Sequence, residues 1–396
     1  MSLAGAVILQ VIPDLAAGGA ERTTIEIAAA LREAGATALV ASAGGRLEGE
    51  LTAAGGELVR MPSLRAKNPA SLLSNASALT RLVKDRGVAL VHARSRAPAW
   101  SALWAARRAR RPFVTTYHGV YNARSAPKRF YNSVMARGDV VIANSEFTAV
   151  HVRGRYPRAA DRVVAIPRGV DLAVFTPEAV SAERMETLAR DWGLRRKPGE
   201  ALILLPARLT AWKGQRVAIG AAARLFVRHP LLSWRLILAG DAQGRETYLA
   251  DLRSAIIKHG LEDRIAIVGH CSDMPAAFAL ADIVLAPSTE PEAFGRVAAE
   301  AGAMGRPVIG SNLGGQREVI VNGETGRLIP PADPGALADA MAALIGDPAG
   351  RAAMGQAAQH RIRTKFTTSA LQAATLAVYE RLIGQSAIPA SANDPA

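Results

Sequence analysis

Short apolar runs alternate with helix-spaced stretches along most of the chain. The first run is AVILQVI (6–12). It is too short for a buried helix and lacks polar alternation, so it predicts a central parallel strand covered on both faces. DLAAGGAER follows, and IEIAAALREAG then places apolar residues at helical spacing and stops at Gly35. The pattern predicts further strands at TALVAS (37–42), ELVRM (57–61), ALVHA (89–93), FVTTYH (113–118), VVIAN (140–144) and RVVAIP (162–167), with helical stretches between most of them. This alternation implies a doubly wound α/β domain, whose ligands sit beyond the carboxyl ends of the strands.

IPRGVDLAVFTP (166–177) leaves that series. Residues 178–199 are polar, hold a short predicted helix and end in RRKPG, which places a linker at 176–200. The alternation restarts at ALILLPARLTAWKGQ (201–215). RLILAGD (235–241), IAIVGH (265–270), DIVLAPS (282–288) and PVIGS (307–311) continue it. Residues 334–383 read as helices, and the tail 386–396 has a disordered composition. The expected division is a first domain at 1–175, a second at 201–365, a last helix at 366–385 and the tail.

A length of 396 residues suits two such domains better than one core. With 49% apolar and 21% charged residues the chain reads as soluble and globular. No apolar run is long enough to span a bilayer. The start of the chain enters a strand with no basic region before it, so no signal peptide is expected. Cys271 is the only cysteine, which excludes an intrachain disulfide and a thiolate metal site and fits a reducing cytoplasm. The net charge of +14 is uneven: residues 1–175 hold 24 Lys+Arg against 12 Asp+Glu, and residues 176–396 hold 24 against 22. The first half is therefore expected to meet something anionic, namely a membrane surface, an acidic glycolipid or nucleic acid, unless the surplus serves solubility alone. No recognition motif accompanies the charge, so nucleic acid is set aside.

Candidate chemistry centres on PSTEPEAFGRVAAE (287–300), which reads as strand end, loop and helix. Glu292 falls in the loop and Glu300 in the second turn of a helix opening near Phe294. Two acids so placed address different parts of an elongated ligand, while free N–H groups at the helix start meet anionic oxygens. A pair of glutamates eight apart is otherwise common on solvated helix faces. Arg208 ends one predicted strand and Lys213 heads the next helix, a placement that suits a diphosphate. Arg94 and Arg96 in HARSRAP, with Lys128 and Arg129 in the loop after His118, are candidates for an acidic acceptor. In AWSALWAARRARRP (99–112), Trp100 and Trp104 share a helix face that is expected to pack on the sheet. The arginines after them suit an anionic bilayer.

Glu292 with Glu300 resembles the E-x7-E signature of the retaining glycosyltransferases of family 4, which adopt the GT-B fold of two doubly wound Rossmann-like domains facing across a cleft. Arg208 with Lys213, the Gly240-Asp241 turn, and PVIGS with GGQREVI are similar to that family in the same order, over roughly 201–345. GGAE after the first strand resembles the family loop lining the cleft, which implies donor contacts for Gly18, Gly19 and Glu21. The resemblance also implies that His118 reaches the donor sugar and that Arg208 and Lys213 bind the diphosphate. It implies that Glu292 holds a sugar hydroxyl and Glu300 the ribose, and that Ala293, Phe294 and Gly295 offer backbone to the phosphates. Gly240 and the backbone near His270 would complete the donor site. Arg168 departs from the family's "NGVD" segment, where Asn is usual. The last helix is expected to cross back to the first domain.

What the resemblance implies is transfer of a hexose-type sugar from a UDP-, GDP- or ADP-sugar to an anionic glycan or glycolipid, with retention. No cofactor and no metal are expected, since no D-x-D motif is present. Lipopolysaccharide or other cell-envelope synthesis is the expected setting, in the cytoplasm or peripherally on the inner membrane face. A sugar-nucleotide epimerase of similar architecture and a non-catalytic nucleotide-sugar-binding subunit remain as alternatives.

Overall fold

A computed structural model describes residues 2–16, 18–121 and 125–387. The part 388–396 of the expected tail lies outside the described residues. The chain divides into two compact units, one from the described residues of Met1–Pro167 and Ser369–Ala396, the other Arg168–Thr368.

The first unit carries seven parallel strands: β1 (Val7–Val11), β2 (Thr37–Ser42), β3 (Glu57–Arg60), β4 (Leu90–Ala93), β5 (Phe113–Tyr117), β6 (Val140–Ala143) and β7 (Val163–Ala165). Their order is β3-β2-β1-β4-β5-β6-β7. The second unit carries β8 (Ala201–Pro206), β9 (Trp234–Ala239), β10 (Ile265–Gly269), β11 (Ile283–Ala286), β12 (Val308–Ser311) and β13 (Gly326–Ile329), ordered β10-β9-β8-β11-β12-β13. Sequence reading did not identify β13, which is only four residues long and half-buried.

Each sheet buries both faces. Leu9 and Val11 enter one apolar cluster while Ile8 enters another on the opposite face. Ile203 and Leu205 likewise face away from Leu202 and Leu204. That period of two explains why the strands read as unbroken apolar runs.

The structure moves the expected boundaries. The first unit ends at Pro167, before the anticipated 175, because Val170 already pairs with the second unit: its N–H donates to the Phe366 carbonyl at 2.8 Å. The expected linker 176–200 is part of the second unit. It contains the helix Ala182–Asp191, capped by Ser181, and Arg184 pairs with Asp273 at 2.7 Å.

The last helix, Thr368–Ala387, packs on the first unit. Leu371, Val378, Tyr379 and Leu382 join the cluster around Ile8, and the Gln372 side chain donates to the Glu26 carbonyl at 2.8 Å. The Tyr379 hydroxyl lies 2.5 Å from Nδ1 of the fully buried His92, whose Nε2 lies 2.7 Å from the Thr116 hydroxyl. Burial holds His92 well below its ordinary range, with Arg94 and His118 adding to the effect, so the imidazole stays neutral. Burial likewise raises Tyr379 to about 12. Tyr379→Phe leaves His92 short of one partner in a dry site. Its expected cost is about 1–3 kcal/mol, checked by chemical denaturation with the wild-type m-value as control.

Candidate active site

In the second sheet the strand order reverses between β8 and β11, and predicted residues lie at the carboxyl ends of both neighbours. After β8 the chain passes the exposed Arg208 and makes one 3-10 turn, Ala211–Lys213, before the helix Gln215–Arg228. Lys213 therefore precedes the helix and does not head it as expected. The turn is fixed to the segment after β11, where the Thr289 N–H donates to the Trp212 carbonyl at 2.8 Å. Gly214 closes it at φ +80°, and a Cβ there would lie 2.0 Å from the Pro287 carbonyl oxygen. No other residue fits that conformation and that space together.

Lys213 Nζ donates to Glu292 Oε1 at 2.8 Å, and the two side chains keep 14% and 11% of their exposure. The buried Ser288 hydroxyl donates to the same oxygen at 2.5 Å, and Gln316 Nε2 approaches it at 3.4 Å. The Lys213 ammonium also stands 4.3 Å from the Trp212 ring centroid. The Glu292 loop rests on a glycine pair. Gly315 N–H donates to the Glu292 carbonyl at 2.7 Å. A Cβ on Gly314 would meet that carbonyl at 2.4 Å, and one on Gly315 would meet the Ala293 carbonyl at 2.5 Å. Sequence reasoning singled out neither Ser288 nor Gln316. The visible signal for Gln316 was the Gly314-Gly315 pair before it.

The helix Arg296–Ala303 begins after Gly295, and Glu300 lies in its second turn. The Glu300 side chain is 14% exposed, with Arg296 Nε at 3.2 Å. Burial pushes its carboxyl above the ordinary range, while the positive charges of Arg296 and Arg168 pull it back. Arg168, whose departure from Asn had no explanation in the sequence, thus acts electrostatically on Glu300. Phe294 is buried edge-on to Phe366, centroids 5.7 Å apart, and Ala293 is half-buried beside it. Gly240 follows β9 against the carbonyl of Ala207. His270 is exposed after the edge strand β10, and burial raises the neighbouring Cys271 thiol. Among the described residues, no three His, Cys, Asp or Glu side chains are grouped to hold a metal ion.

In the first sheet the order reverses between β1 and β4. Gly18 and Gly19 follow β1, with Glu21 in the first turn of the helix Gly19–Glu33. The half-buried His118 follows β5. Arg94 corrects the expectation of an acceptor contact, since only 2% of it is exposed. Its Nε and Nη2 donate to Gln10 Oε1 at 2.9 and 2.5 Å, and its N–H extends the strand pairing to the Val11 carbonyl. That pairing keeps the residue in the sheet and turns the side chain inward. Arg96 is committed too: it donates to Asn132 Oδ1 at 3.0 Å and covers the Tyr121 ring at 4.1 Å. Lys128 and Arg129 are exposed, on the short helix Ala126–Asn132 and not in a loop. Trp100 is buried under the exposed Phe130, stacked at 5.1 Å, and Trp104 is 5.9 Å away. Arg107 pairs with Asp139 at 2.8 Å, and Arg108, Arg110 and Arg111 face solvent.

Two family models match the chain, "Glycosyltransferase Family 4" over residues 17–174 and "Glycosyl transferases group 1" over residues 189–361. A crystal structure of a glycosyltransferase from Rickettsia africae is 34% identical with a TM-score of 0.88, covering 96% of this chain and 99% of that one. Anabaena Alr3699/HepE, solved in complex with UDP and glucose, is 27% identical with a TM-score of 0.78, covering 94% and 99%. The D-inositol 3-phosphate glycosyltransferase of Pseudarthrobacter chlorophenolicus is 35% identical over 56% of this chain. The lipopolysaccharide core biosynthesis mannosyltransferase LpcC of Rhizobium leguminosarum bv. viciae is 31% identical over 64% of this chain and 67% of its own length. The chain spans 51% to 58% of the length of the first curated relatives it matches.

Two outcomes follow from this geometry. Lys213→Ala strands the Glu292 carboxylate at low exposure. The expected loss is about 2–3 kcal/mol, below the figure for a wholly buried pair because Ser288 and Gln316 still donate. Adding Glu292→Gln should restore part of it in denaturant titrations. Glu300 gives the pH test. Its native carboxyl binds a proton more tightly than the unfolded one, so its contribution to stability falls as pH rises from the ordinary 4.5 through the raised native value. Above that window the ionised group is a burden. Glu300→Gln should therefore be at least as stable as wild type near pH 7 without ligand. The stability difference should shrink as pH falls, and a flat difference would refute the assignment.

Proposed function

The chain belongs to the glycosyltransferases of group 1 and family 4, and on that premise we propose that it transfers a hexose-type sugar, with retention, from a nucleoside diphosphate to an anionic glycan or glycolipid. The observation that carries the proposal is the cluster at the β8/β11 reversal, where Lys213 meets Glu292 and the Arg296–Ala303 helix holds Glu300. Breaking the anomeric C–O bond builds positive charge on the sugar ring and negative charge on the leaving diphosphate. Arg208, Lys213 and the N–H groups at the start of the Arg296–Ala303 helix stabilise the latter. Glu292, oriented by three donors, holds a hydroxyl of the donor sugar near the developing cation. Glu300 accepts hydrogen bonds from the ribose. The leaving phosphate takes the acceptor's proton in a front-side attack, so Glu292 forms no covalent bond. The steps call on no metal.

UDP is the first donor to test, because a structural relative was solved with UDP and glucose. The names of the inositol phosphate and lipopolysaccharide core relatives support an anionic acceptor and a cell-envelope setting. The exposed Lys128, Arg129, Arg108, Arg110 and Arg111 suit such an acceptor or the inner leaflet that carries it. No described helix is long and apolar enough to cross a membrane.

The test is a thermal-shift panel of UDP, GDP and ADP with their common sugars, on wild type and Glu300→Ala. One nucleotide at a hundredfold over its Kd should add about 2.7 kcal/mol of stability, and Glu300→Ala should weaken the shift. The donor so identified should be consumed only with acceptor present. Absence of any nucleotide shift sinks the proposal, as does conversion of the donor sugar without acceptor, which would indicate an epimerase.

A further inference from the structure

The strand ends of the second sheet carry one bulky side chain that the chemistry above leaves without a role, Trp212. The chain has five tryptophans. Trp100, Trp104, Trp192 and Trp234 each pack into an apolar cluster. Trp212 joins none of the apolar clusters formed by the described residues, and it is only half-buried. Core packing therefore does not account for an indole at this position. Its main chain is nonetheless fixed. The Trp212 carbonyl accepts from the Thr289 N–H at 2.8 Å and lies 3.5 Å from the Thr289 hydroxyl. The turn that carries it closes at Gly214 in the left-handed region.

From that place the ring faces the Lys213 ammonium, with Nζ 4.3 Å from the ring centroid. This is within the distance at which the ring quadrupole attracts a cation. Nζ also donates to Glu292 Oε1 at 2.8 Å. The Lys213 side chain keeps only 14% of its exposure, and a cation so far removed from water gains most from an aromatic face. Lysine carries its charge on a flexible four-carbon stem, so one carboxylate sets its distance but not its direction. The ring restricts the direction.

We propose that Trp212 is a positioning residue, whose ring holds the Lys213 ammonium in place for the diphosphate of the donor. It contributes through Lys213 and through the electron density of its face, and the diphosphate meets a cation that is already ordered. The inference rests on the proposed reading that Lys213 binds the diphosphate.

The test titrates UDP by calorimetry, and uridine by displacement of UDP, on the full chain. If the panel above selects another base, its diphosphate and nucleoside replace these probes. Trp212→Leu should weaken UDP about tenfold and leave uridine, which has no phosphate, unchanged. Trp212→Phe should lose less than Trp212→Leu, because a smaller aromatic face remains. In a Lys213→Met background, Trp212→Leu should cause no further loss. Equal loss of UDP and uridine overturns the inference, since it marks a disturbed site or a direct contact with the nucleoside. So does an undiminished effect in the Lys213→Met background, or a Trp212→Leu variant that binds UDP as wild type does. Each of these outcomes leaves the proposed activity standing. A wild-type chain that binds no nucleoside diphosphate sinks both.

Discussion

The ion pair between Lys213 and Glu292 sets the terms for the strand ends around it. At 14% and 11% side-chain exposure neither charge keeps much of its hydration. Two ions brought to that depth cost several kcal/mol each unless the geometry is close and the remaining lone pairs are satisfied. Here the separation is 2.8 Å, and Ser288 and Gln316 supply further donors to the same oxygen. Each donor comes from a different segment, so the pair can form only if the segments after β8, β11 and β12 approach closely. The glycines at 214, 314 and 315 allow that approach, because side chains at those positions would collide with the carbonyls of Pro287, Glu292 and Ala293. A polar arrangement of this kind specifies one loop geometry where an apolar one would tolerate several.

The same reasoning explains what could be seen in the chain beforehand. The long central strands were legible because both sheets are covered on both faces, which turns a strand into a compact apolar run. Glu300 was legible because helical spacing after Gly295 fixes its turn. Arg94 was not, because local pattern cannot tell whether a charged residue one position past a strand faces water or the sheet interior. Its pairing with Gln10 spans 84 positions. Ser288 was hidden for the same reason, since a side chain that holds another residue's carboxylate leaves no periodic trace, and for Gln316 only the glycine pair before it was visible. Residues 176–200 looked like a linker because they are polar. Their helix Ala182–Asp191 has no buried residue, and its anchoring Arg184–Asp273 pair joins positions 89 apart.

The two acids after β11 meet opposite fates, and the difference bears on function. Glu292 has three donors inside the protein. Glu300 is desolvated with Arg296 beside it and Arg168 acting from further off, and this leaves its carboxyl raised. A carboxylate in that state is under-solvated, and hydroxyl donors from a ligand would relieve it more than they would a hydrated acid. On the proposed reading the ribose supplies those donors, so part of the nucleotide's affinity is strain already present in the free protein. Folding stability and ligand affinity are then coupled at one residue. Removing the charge relaxes the empty protein and weakens the bound one. Glu292 lacks that property, because its donors are already in place before any ligand arrives, and its contribution is to hold an acceptor oxygen still.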